Sequence, residues 1–94
     1  MNKYESVVII NNSLEEAKIK ATIEKISDLI NKNGKVESAE EVGAKKLTYE
    51  IKGQTEGYYV VFTFDAEPSF IVELERIYRI TDEIIKFIVI RKEK

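Results

Sequence analysis

Two helical apolar stripes set among four β-branched runs constrain this chain more than anything else in it. Ile19, Ile23, Ile26 and Ile30 step by 4, 3 and 4, the spacing of an amphipathic helix. Ile71, Leu74, Ile77 and Tyr78 supply the second stripe. Around them, Lys3 to Ile10, Lys35 to Ile51, Tyr58 to Phe64 and Ile84 to Arg91 read as strands rich in Val, Ile, Tyr and Phe. The order is strand, helix, strand, strand, helix, strand. It amounts to two βαβ units joined by a hairpin, and right-handed crossovers put both helices on one face. The expected class is α+β, a ferredoxin-like split βαβ. Its four-stranded antiparallel sheet has order 4-1-3-2, and residues 1–94 make one domain.

Local signals set the boundaries. Ser13-Leu14-Glu15-Glu16 has capping-box spacing, and Asn33-Gly34 closes the first helix with Gly34 suited to a left-handed residue. Gly43 marks a bulge or bend in one long second strand, and residues 52–57 read as a polar hairpin loop. Pro68 suits the first turn of the second helix. Lys46, Thr48 and Glu50 alternate with Leu47, Tyr49 and Ile51, which places the second strand at an edge.

The chain has no cysteine and no histidine, which removes thiol nucleophiles, disulfides and the commonest general base and zinc ligand. It holds no phosphate loop, nucleophile elbow or dinucleotide fingerprint. The expectation is no catalytic residue, no metal, no cofactor, no small-molecule substrate and no membrane span. A leader is not expected either, because Met1-Asn2-Lys3-Tyr4 runs straight into a strand. Fifteen basic against seventeen acidic residues give a net charge of −2, so any polyanion would be held by a local patch. From Arg76 to the end there are six basic and three acidic residues. In the 4-1-3-2 order Lys3 lies close to Arg91 and Lys92, a cluster suited to phosphates or to a solvated rim.

Strand parity defines a second surface. If Tyr58, Val60, Phe62, Phe64, Val8, Ile10, Phe87 and Val89 face the helices, then Val7, Ile9, Tyr59, Val61, Ile88 and Ile90 face away. Two helices cover one face, so the outer set is an apolar patch for a protein partner. Glu40 and Glu41, with Lys45 and Lys46, either protect the edge from aggregation or form an electrostatic docking rim. Gly57-Tyr58 fits the third strand of RNA-binding sheets, but Glu56, Val60 and Thr63 stand where a basic residue and stacking aromatics belong.

Several of these residues together resemble one family, the bacterial small-subunit ribosomal protein number six. The likeness covers essentially the whole chain. It is carried by Tyr4-Glu5, Asn33-Gly34, the Glu40 to Tyr49 segment with Gly43, Lys45-Lys46 and Leu47, Gly57-Tyr58-Tyr59, Arg79-Ile80 with Asp82, and Phe87 to Lys92. Asn2 stands where members often carry a basic residue, and Glu50 where they carry proline. The resemblance implies a ferredoxin-like fold and a cytoplasmic, ribosome-associated structural role. It implies binding of central-domain small-subunit ribosomal RNA together with ribosomal protein number eighteen. On that basis Lys3, Lys45, Lys46, Arg79, Arg91 and Lys92 are expected on RNA backbone, with Tyr4 nearby. The alternative is a small-molecule-sensing or regulatory dimerisation domain of the same fold.

Overall fold

The structure is a computed structural model that describes residues 2–51 and 53–92. Its elements are β1 (Asn2–Asn11), α1 (Glu16–Asn33), β2 (Gly34–Ile51), β3 (Gln54–Ala66), α2 (Pro68–Ile80) and β4 (Ile84–Lys92). The sheet order is β2-β3-β1-β4, the expected order read from the other edge, and every pairing is antiparallel.

The helix-facing parity is as expected. Val8, Ile10, Val60, Phe62 and Phe64 are fully buried, and Tyr58, Phe87 and Val89 pack against them. Ile19, Ile23, Ile26 and Ile30 of α1 close over this layer, together with Phe70, Leu74 and Tyr78 of α2. Pro68 sits at the start of α2, where its missing N–H costs nothing. Each fully buried aliphatic or aromatic side chain stabilises by roughly 1.5–3 kcal/mol, so this layer is the main source of stability. Inside it, the hydroxyls of Ser6 and Tyr78 share a hydrogen bond of 2.9 Å that satisfies both buried groups.

Three boundary expectations are corrected. The capping box does not form: α1 starts at Glu16, and Glu15 at its N-cap makes no side-chain capping hydrogen bond. Ser13 instead donates its N–H (2.9 Å) and hydroxyl (2.6 Å) to the Asn11 side-chain oxygen, so a local Asx turn captures the residue that would have capped. Gly34 is not left-handed but extended, with φ −173°. It is glycine for space, because a Cβ there would run into the Asp65 carbonyl oxygen as β2 begins to pair with β3. Most of the expected 52–57 loop is strand: Gln54 already pairs with Ile51, and the left-handed Gly53 (φ 78°) makes the turn tight. Lys52 of that loop lies outside the described residues. Gly43 does mark a bulge, with φ 103° and a register shift beside it.

Gly34→Ala is expected to destabilise the fold by about 1–3 kcal/mol, since the obstructing atom is backbone and cannot rotate aside. The urea midpoint measures it. Gly43→Ala meets no steric neighbour and pays only for its backbone conformation, so it should cost less.

Candidate functional site

The register of the outer sheet face arranges the expected residues in rows. Val61, Val7 and Ile88 are directly opposite one another across β3, β1 and β4, and Ile90 lies opposite Glu5 in the next row. Val7 and Val61 are half-buried, while Ile88 and Ile90 are 47% and 50% exposed. These four, with half-buried Tyr59, form an open apolar strip. Ile9 is a correction: it is 6% exposed and belongs to a second small cluster with Leu47 and Ile85, flanked by Ile51 and Tyr59. The end of β2 folds its Leu47 onto the outer face, which residue alternation within one strand cannot reveal. Gly57 permits this, because a Cβ there would collide with the Ile9 side chain.

Glu40 and Glu41 separate. Glu40 pairs with Val61 and rims the outer strip. Glu41 lies on the helix side, where its carboxylate accepts a 2.8 Å hydrogen bond from the Tyr58 hydroxyl and raises that phenol's pKa. A partner on the outer face meets Glu40 and not Glu41.

The basic residues fall into three groups rather than one patch. Lys3, Lys92 and Arg91 gather at one end of the sheet, where Lys3 is opposite Lys92 and Tyr4 opposite Arg91. Lys35, which was not anticipated, joins them through Asp65, the residue opposite both Lys35 and Lys3. Lys3 donates to both Glu37 carboxylate oxygens at 3.0 and 2.8 Å. That bond raises the lysine pKa and lowers the glutamate's. Lys92 lies 3.6 Å from the Glu5 carboxylate. Arg91 donates to the Asn2 side-chain oxygen at 3.3 Å, and among the described residues no carboxylate neutralises it.

Lys45 and Lys46 lie at the other end of the sheet, opposite Gly57 and Glu56. The eight steps along β3 from Gly57 to Asp65 separate them from Lys3 by about 27 Å along the strand direction. Both are exposed and unpaired among the described residues. Arg79 lies in the last turn of α2 and lines a shallow recess of about 220 Å³ with Lys86, Ile84 and Phe87. Lys86, one of the six basic residues from Arg76 onward, joins Arg79 there. Tyr4 is corrected: it is 6% exposed and stacks on Phe64 in the core, with ring centroids 5.8 Å apart. Its even position in β1 turns the ring toward the helices and into the core.

A family model described as Ribosomal protein S6 matches residues 3–91. A "Small ribosomal subunit protein bS6" of Clostridium kluyveri is 43% identical over 95 residues, covering all of both chains. The protein of that name from Helicobacter pylori is 46% identical over 94 residues, covering 99% of this chain and 66% of its own length. Among solved structures, the 30S ribosomal protein S6 of Thermotoga maritima is similar at a TM-score of 0.92 and 34% identity. That match covers 97% of this chain and 87% of the other.

Proposed function

Since the chain belongs to the ribosomal protein S6 family, a small-subunit ribosomal protein family and not a family of enzymes, we propose that it holds central-domain ribosomal RNA jointly with ribosomal protein number eighteen. The observation that carries this reading is the end-to-end similarity to relatives named as small-subunit proteins. The effector-sensing alternative has no comparable support.

In the proposed arrangement the two binding tasks use different surfaces. Val7, Val61, Tyr59, Ile88 and Ile90 are the apolar strip that the partner protein covers, with Glu40 at its rim. Arg91, Lys3 and Lys92 at one end, Lys45 and Lys46 at the other, and Arg79 beside Lys86 approach phosphates. Arg91 leads its group, because its planar fork suits a phosphate and among the described residues no carboxylate competes for it. Lys3 and Lys92 must exchange Glu37 and Glu5 for phosphate, a small cost for exposed ion pairs.

Binding to a central-domain RNA fragment in the presence of ribosomal protein number eighteen should weaken steeply with salt. Arg91→Ala with Lys92→Ala should reduce the slope of log K against log salt by about 2. Arg91→Ala alone should account for about half. An unchanged slope in the double variant would remove this end of the sheet from the RNA interface.

A further inference from the structure

Tyr49 lies between two anchored residues and is itself open. Leu47 on one side is 8% exposed, and Ile51 on the other is half-buried; both pack in the Ile9–Ile85 cluster. Tyr49 is 66% exposed, whereas every other aromatic side chain is buried or half-buried. Among the described residues its ring has no aromatic neighbour and its hydroxyl no hydrogen bond. Lys45 and Lys46 precede it on the same arm and, among the described residues, form no ion pair with a carboxylate. The arm is held in place by the small cluster, by the tight turn at Gly53 and by Asn12, which donates to Glu56 at 3.3 Å.

We propose that the arm from Lys45 to Tyr49 is a stacking site for an unpaired RNA base, with Tyr49 as the platform and Lys45 and Lys46 on the adjoining phosphates. The inference rests on the RNA reading above and adds a residue to it. A free π face beside two free cations is the combination that single-stranded nucleic acid uses, aromatic rings taking the bases and lysines tracking the backbone. Because Leu47 and Ile51 anchor the backbone on either side of it, little backbone freedom is lost in presenting the ring to a base. An apolar protein surface would use the ring but leave both lysines without a purpose. On the outer sheet face Tyr59 is half-buried against the Ile9 cluster; the more open ring of Tyr49 lies on the hairpin arm.

The test is fluorescence anisotropy of a labelled central-domain RNA fragment with ribosomal protein number eighteen present, comparing full-length variants that melt like the wild type. Tyr49→Ala should weaken binding roughly 5- to 150-fold. Tyr49→Phe should bind nearly as the wild type, since it keeps the ring, and Tyr49→Leu should be as weak as alanine. Lys45→Ala with Lys46→Ala should lower the salt slope by about 2. Wild-type affinity in Tyr49→Ala overturns the proposal, as does leucine performing as well as phenylalanine. Loss of binding to ribosomal protein number eighteen alone, without RNA, would make the arm a protein-docking element instead and overturns it too. If the wild-type chain binds no RNA with its partner present, the RNA reading itself fails, a result distinct from failure of the Tyr49 variants.

Discussion

Val61→Glu is expected to lower affinity for ribosomal protein number eighteen by at least about 100-fold while leaving the isolated chain folded. Val61 is half-buried on the outer sheet face, directly opposite Val7 on one side and Glu40 on the other. In the free protein a carboxylate there remains in water. Its repulsion from Glu40 costs at most about 1 kcal/mol, the scale of a directly opposed like-charge pair. In the complex the same carboxylate is covered without a cation, and an unpaired buried charge costs several kcal/mol. Titration calorimetry on a variant with unchanged circular dichroism and melting measures the difference. Val60→Glu is the contrast, because Val60 is fully buried under the helices and its replacement should unfold the chain. Wild-type affinity in Val61→Glu would take the partner off this face.

A comparably large effect is expected from alkali, and it belongs to Tyr78. Burial penalises the phenolate and raises the Tyr78 pKa far above that of an ordinary tyrosine; the hydrogen bond with Ser6 opposes this more weakly. The folded chain therefore keeps its proton after the unfolded chain has lost it. Stability is complete below the unfolded value of about 10 and falls as pH rises beyond it, by about 1.4 kcal/mol per pH unit. At pH 12 the loss approaches about 3 kcal/mol. Tyr78→Phe removes this dependence but strands the fully buried Ser6 hydroxyl, costing about 1–3 kcal/mol at neutral pH. The wild type should be the more stable at pH 8, and the two should converge or cross between about pH 11 and 12. Groups common to both proteins, such as Tyr58 and Lys3, cancel in the comparison. Parallel decline of the two urea midpoints would show that another group controls alkaline unfolding.

What was legible in the sequence is what a single element decides. The isoleucine stripe of α1 and the alternation of β1, β3 and β4 are periodicities, and they gave the order of elements and the buried face. The sheet order followed from crossover handedness and from the polar alternation of β2. Features set by two elements meeting were misread. Ser13 was taken from α1 by the Asn11 side chain, and Ile9 was covered by a β2 end that folds across the sheet. Likeness alone places Tyr4 near RNA, whereas its own parity in β1 turns it inward. The basic residues were legible as charges, but not the carboxylates beside them. Glu37 reaches Lys3 from 34 residues away, a pairing that only the assembled sheet reveals.

In the proposed role this chain enters the small subunit through RNA and a protein partner together. The most direct measurement is sedimentation of the purified wild-type chain with a central-domain RNA fragment, with and without ribosomal protein number eighteen, at low and at high salt. Co-sedimentation is expected when RNA and partner are both present, and is lost as salt rises. Recovery of the chain only as a free homodimer under every one of those conditions would contradict it.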